Sequence, residues 1–173
     1  MNIVLTGFMA TGKTQISQCL AERLGYELKD TDEMIVKSAK MSINDIFAKL
    51  GEERFRHMET EIIKQAAKGD KTIISTGGGV VLNPRNIDFL RENGIIVNLS
   101  PEFEVIQERI SEAAATRPLM KGQTIEEIKK RFNDRKPFYD NCDIKINVTN
   151  DKTPMEHAEE IIDILKDRKD IKE

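Results

Sequence analysis

Residues 7 to 14 read Gly7-Phe8-Met9-Ala10-Thr11-Gly12-Lys13-Thr14. The spacing is G-x-x-x-x-G-K-[ST], which sets two glycines, a lysine and a hydroxyl in the order that phosphate chemistry needs. Gly7 and Gly12 permit a turn whose successive N–H groups face inward around an anion. Lys13 would then reach the β- and γ-phosphates of a nucleoside triphosphate, and the Thr14 hydroxyl would ligate Mg²⁺. The competing reading is a glycine-containing turn that binds nothing. The flanks speak against it. Ile3-Val4-Leu5 is a short apolar run of strand type, and Ile16, Cys19, Leu20 and Leu24 recur at the spacing of a helix's buried face. The loop thus joins a strand to a helix N-terminus, whose dipole also favours an anion.

Further chemistry-bearing residues follow in order. Asp30-Thr31-Asp32 ends a second strand candidate. If the strand is still extended there, both carboxylates point the same way, one towards Mg²⁺ and the other towards a substrate hydroxyl as base or orienting group. Alternatively, Asp32 caps a helix that begins near Glu33. Arg56 and Glu59 lie three apart, so a carboxylate can fix the arginine's fork for a second carboxylate, although a surface ion pair reads the same way. Gly77-Gly78-Gly79 leave no side chains at a strand end, which suits a substrate floor or a wide turn. Arg117-Pro118 sits among small and polar residues, as in a lid arginine that neutralises transferred charge or as an incidental loop residue. Arg131, Arg135 and Lys136 fall at a helix end before Pro137, and one of them facing the pocket would add an anion contact. His57 and His157 lie in charged helical stretches and read as surface residues.

The positioning elements alternate. Strand candidates span 26–30, 72–76, 95–99 and 144–148 besides the first, and helical patterns occupy about 43–67, 84–92, 102–112, 124–134 and 155–168. Gly51 is expected to end one short helix and Glu52 to open the next. About five strands separated by helices imply a mostly parallel sheet covered on both faces, in one α/β domain spanning 1–173. Ligands of such a sheet bind beyond the strands' carboxyl ends, just after residues 6, 30, 76, 99 and 148.

The 173 residues hold 39% hydrophobic and 33% charged side chains, with net charge −3 and no basic tract, which disfavours nucleic acid. No apolar run reaches membrane-span length, so no membrane partner is expected. A strand that begins almost at once leaves no room for a targeting segment, and a cytoplasmic protein is expected. Cys19 on the helix stripe and Cys142 in a polar turn are expected to remain unbridged.

Taken together the motifs resemble the shikimate kinase family, among the nucleoside-monophosphate-kinase-like P-loop proteins. The segments are GFMATGKT at 7–14, DTDEMI at 30–35, INDIFAKLGEERFRHME at 43–59, STGGGVV at 75–81, TRPLM at 116–120 and DRKPFYDNCD at 134–143. The phosphate loop alone names a superfamily, whereas the combination is specific to this family. The resemblance implies a three-layer α/β/α P-loop kinase fold with a central five-stranded parallel sheet, substrate-binding helices at about 33–60 and a mobile lid at about 112–123. It implies ATP-dependent phosphorylation of the 3-hydroxyl of shikimate, with Mg²⁺, by a monomer. By position, Gly7, Ala10, Thr11, Gly12, Lys13 and Thr14 serve the triphosphate, and Thr14 and Asp30 the metal. Asp32 orients the shikimate hydroxyls and is the candidate base, with Lys13 and Arg117 as its catalytic companions. Arg56 and Arg135 clamp the carboxylate, Glu59 supports Arg56, and Gly77, Gly78 and Gly79 offer backbone. Arg109 and Pro154 flank the adenine. The family often has Gly-Ser where Ala10-Thr11 stands, and the step from Arg109 to Arg117 is one residue longer than usual. The rivals are a gluconate-type sugar-acid kinase and a nucleotide-binding module without catalysis.

Overall fold

Five strands run in one direction: β1 (Asn2–Gly7), β2 (Glu27–Asp30), β3 (Thr72–Ser75), β4 (Gly94–Leu99) and β5 (Ile144–Ile146). Their order across the sheet is β2-β3-β1-β4-β5, and every pair is parallel. The computed structural model describes residues 1–114 and 123–172. Seven helices cover the sheet among the described residues: α1 (Lys13–Leu24), α2 (Thr31–Ala39), α3 (Ile43–Ala67), α4 (Pro84–Arg91), α5 (Phe103–Ala114), α6 (Ile125–Tyr139) and α7 (Pro154–Asp167).

Strand alternation builds the layers. Ile3 and Leu5 face α1 and α7, where they pack with Ile16, Leu20, Ile161 and Leu165. Val4, between them in sequence, faces the other way and packs with Ile63, Ile87 and Ile106. A parallel sheet apolar on both faces requires helices on both, which gives the three-layer α/β/α architecture. A separate cluster of Ile35, Ile46, Phe55 and Ile62 fastens α2 to α3. Burial of each such side chain contributes about 2 kcal/mol.

Helix ends follow local chemistry. Ser42 caps α3, while Thr124 with Glu127 and Thr153 with Glu156 form reciprocal capping boxes on α6 and α7. The expected break at Gly51 is present: φ 82 and ψ 167 kink α3, dividing a short segment from a longer one. Two expectations fail. β5 ends at Ile146 rather than 148. α6 does not stop before Pro137 but runs through it to Tyr139. Proline lacks one N–H, and in a last turn the loss is a single bond that the packing of Tyr139 offsets. No helix among the described residues is long and apolar enough to cross a membrane.

Strand order decides what meets what. Leu5 pairs with Ser75, and Ser75 with Asp30, so the chain leaves β1, β3 and β2 at one edge, side by side.

Candidate active site

The loop of residues 8–12 wraps the N-terminus of α1. Gly12, at φ 88, turns the chain into the helix, and Ala10 holds a left-handed φ of 59. Thr11 is fully buried, and its hydroxyl donates to the Phe8 carbonyl at 2.8 Å. Its side chain braces the loop from beneath, leaving its backbone for a ligand. Lys13 Nζ donates to the carbonyls of Gly7 at 2.6 Å and Phe8 at 2.9 Å. Burial lowers the Lys13 pKa from 10.5 to about 8, against the charges of Asp32 and Asp30 that pull it up.

Lys13, Thr14, Asp30, Asp32, the three glycines and Arg135 line one cleft of about 360 Å³. The two aspartates reach it differently from the expectation. β2 ends at Asp30, whose Oδ1 accepts from the Glu33 N–H at 3.0 Å and caps α2. Asp32 is therefore not the cap but lies in the first turn of the helix, and the two residues do not share an extended strand. Burial, and next the charge of Asp30, raise the Asp32 pKa, while Lys13 and Arg56 oppose the rise. The Thr31 hydroxyl accepts from the Gly77 N–H at 3.1 Å, tying this turn to the glycines.

Gly77 and Gly79 each make room for one functional side chain, while Gly78 faces a third at ordinary contact distance. A Cβ at Gly77 would stand 2.6 Å from Asp32 Oδ1, one at Gly79 2.7 Å from Arg56 Nη2, and one at Gly78 3.6 Å from Arg135 Nη1. Spacing alone could not assign three side chains to three glycines, because they arrive from α2, α3 and α6.

Arg56 Nη1 bonds Glu59 Oε1 at 2.9 Å, and Glu59 is only 2% exposed. That burial sets the pair apart from a surface salt bridge. It raises the Glu59 pKa, opposed by the Arg56 charge and hydrogen bond. Phe55 supports the Arg56 guanidinium at 5.2 Å and Phe8 that of Arg135 at 5.9 Å. Of the three cations near Pro137, only Arg135 lines this cleft: Arg131 bonds Gln123 and Lys136 is exposed.

Beyond the loop lies a second cavity of about 560 Å³, lined among others by Ala10, Gly12, Arg109, Asn150 and Pro154. Arg109 donates from Nε to Asn150 Oδ1 at 2.8 Å and from Nη1 to the Ala10 carbonyl at 3.0 Å. Asn150 was not among the sequence candidates, although it follows the fifth strand where a ligand was expected. Tyr139 is the other omission: its hydroxyl donates to the Gly78 carbonyl at 2.6 Å. His57 is exposed, but His157 is buried at 1% and lines the second cavity, contrary to its surface reading. Its position four residues before Ile161 places it on the apolar stripe of α7. Arg117 and most of the lid segment 112–123 lie outside the described residues.

A phosphate loop after the central strand of a sheet in this order defines a P-loop kinase fold. The family model described as shikimate kinase matches residues 9–166. A shikimate kinase of Caldicellulosiruptor bescii is 49% identical over 164 residues, 94% of each chain. The crystal structure of shikimate kinase from Aquifex aeolicus superposes with a TM-score of 0.81 at 35% identity, over 97% of this chain and 98% of that one. The solved structure of shikimate kinase from Acinetobacter baumannii in complex with shikimate gives 0.87 at 30% identity, over 97% and 94%. The chain belongs to the shikimate kinase family, whose members are ATP-dependent kinases.

Proposed function

We propose that the protein transfers the γ-phosphoryl group of ATP to the 3-hydroxyl of shikimate, with Asp32 as the group that accepts the hydroxyl proton. The observation that carries this reading is the meeting of Lys13, Asp32 and Arg135 in one cleft, with Arg56 laid on Gly79 beside them. The acceptor oxygen attacks the γ-phosphorus, its proton passes to Asp32, and ADP leaves. Burial supports the proton transfer, because a carboxylate with a raised pKa is a better base. Arg56 and Arg135 grip the substrate carboxylate as planar bidentate donors, with Glu59 fixing the first. Backbone at Gly77, Gly78 and Gly79 lets the ring approach. Lys13 and the N–H groups of Gly7, Ala10, Thr11 and Gly12 neutralise the phosphates, and Arg117 adds charge from outside the described residues. Arg109 and Pro154 hold the adenine in the neighbouring cavity. Catalysis then rests on positioning and charge neutralisation.

Mg²⁺ fits the oxygen donors present. Among the described residues no three His, Cys, Asp or Glu side chains are arranged to hold a metal. A phosphate-bound Mg²⁺ needs only one or two protein ligands, and Thr14 and Asp30 supply a hydroxyl and a carboxylate. It would neutralise charge between the β- and γ-phosphates. The enzyme acts as a single-domain monomer in this reading, which sedimentation at working concentration tests.

A coupled assay of ADP release decides the substrate. Shikimate should support turnover and gluconate should not; gluconate turnover with no response to shikimate would replace the proposal by its nearest rival.

A further inference from the structure

The two arginines of the acid clamp are held by different means. Arg56 has a buried carboxylate behind it, Glu59 at 2.9 Å. Arg135 has none within 4.0 Å among the described residues. Tyr139 stands in that place, four residues further along α6 and therefore on the same helical face.

The tyrosine is 6% exposed. Its hydroxyl has one hydrogen, and that hydrogen goes to the Gly78 carbonyl at 2.6 Å. What remains on the oxygen is acceptor capacity, and a guanidinium carries only donors. Arg135 Nη1 and Tyr139 Oη converge on the space above Gly78: a single point there lies 3.6 Å from the first and 3.8 Å from the second. Burial raises the Tyr139 pKa, and the charge of the neighbouring Arg135 opposes that rise. With Phe8 across the ring face, the guanidinium is bounded on two sides.

A neutral group there has a consequence for charge. Arg56 shares its charge with Glu59 at 2.9 Å and with the exposed Glu52 at 3.7 Å. A neutral hydroxyl beside Arg135 leaves that guanidinium's charge for the substrate carboxylate.

We propose that Tyr139 is the positioning residue of Arg135, aiming its fork at the acceptor's carboxylate while tying α6 to the glycine floor; this rests on the shikimate kinase reading above. Tyrosine at this place acts through Arg135 and touches neither phosphate nor adenine.

The test is a double-mutant cycle in the full chain, read as steady-state kinetics with shikimate and ATP. Tyr139→Phe should raise KM for shikimate roughly tenfold, about 1.4 kcal/mol, with KM for ATP nearly unchanged and the melting temperature lowered by about 2–4 °C for the lost bond to Gly78. In an Arg135→Ala background the same change should raise it no further. Additive effects, or an equal rise in KM for ATP, would overturn the proposal by showing a general support of the floor. The methyl ester of shikimate, which lacks the charge, should be turned over at equal kcat/KM by the wild type and Tyr139→Phe; a tenfold difference there would also overturn it. The wild type separates the two levels of argument. Turnover of shikimate with an additive cycle rejects Tyr139 alone, whereas no turnover at all rejects the functional reading and this inference with it.

Discussion

Lys13 offers the sharpest prediction because its ionisation lies within reach of ordinary buffers. In the ligand-free protein, burial lowers its pKa from 10.5 to about 8. The charged form is therefore costly in the empty loop, and a triphosphate restores it. Below about pH 8 the ammonium is present and binding proceeds without proton exchange. Above it the free protein has lost the proton, which ATP binding must recover. Between pH 7 and 9.5 the protonated fraction falls from roughly nine-tenths to roughly one-thirtieth, so affinity should fall roughly 20- to 30-fold, whereas a lysine titrating at its usual value would change it by about a tenth. Calorimetry with an ATP analogue carrying a non-hydrolysable β–γ bridge, in buffers of different ionisation enthalpy, measures both quantities. Proton uptake should approach one per nucleotide at pH 9, and Lys13→Met should bind more weakly with no such slope. The same sign governs stability: the cost is fully present below pH 8 and is released as pH rises towards 10.5. At pH 7, ligand-free Lys13→Met should then be more stable than the wild type by about 1–3 kcal/mol, after discounting for partial exposure. A flat affinity from pH 7 to 9.5, with no proton uptake, would refute the argument.

Two glycine substitutions should separate the catalytic group from the acid clamp. Gly79 has φ −94 and ψ 0, which alanine tolerates, so Gly79→Ala displaces only the Arg56 guanidinium. It should raise KM for shikimate roughly tenfold or more with little change in melting temperature, whereas Gly77→Ala pushes on Asp32 and should lower kcat instead; identical kinetic defects would contradict the assignment. Ala10 at φ 59 carries left-handed strain that glycine does not feel. Ala10→Gly should therefore stabilise the protein by about 0.5–1 kcal/mol, read as a rise of about 2 °C in melting temperature, with phosphate binding kept.

The phosphate loop was legible because its function needs a fixed spacing between a strand and a helix. The helix break at Gly51 was legible too, since glycine marks a dihedral that other residues resist. Elements whose geometry depends on distant partners were not. The strand order that brings Asp30 beside Ser75 leaves no local trace in either segment. Asp30 and Asp32 were read by strand periodicity, yet the chain turns helical between them and the cap falls to Asp30. Pro137 suggested a helix end, but a proline in a final turn costs too little to stop one held by Tyr139. His157 was read by its charged neighbours when its spacing to Ile161 already placed it on the buried stripe. Tyr139 and Asn150 acquire meaning only through Arg135 and Arg109, which approach them in the folded chain.

The central claim is that one cleft holds the reacting ends of both substrates with Asp32 between them. Its most direct test follows ADP and phosphorylated shikimate together in the wild type and in Asp32→Ala, alongside nucleotide affinity. The account predicts equal amounts of the two products in the wild type, and at least a thousandfold loss of both in the variant (about 4 kcal/mol) with nucleotide affinity changed less than threefold. ADP without a phosphorylated acid, or an Asp32→Ala enzyme that keeps its turnover, would contradict it.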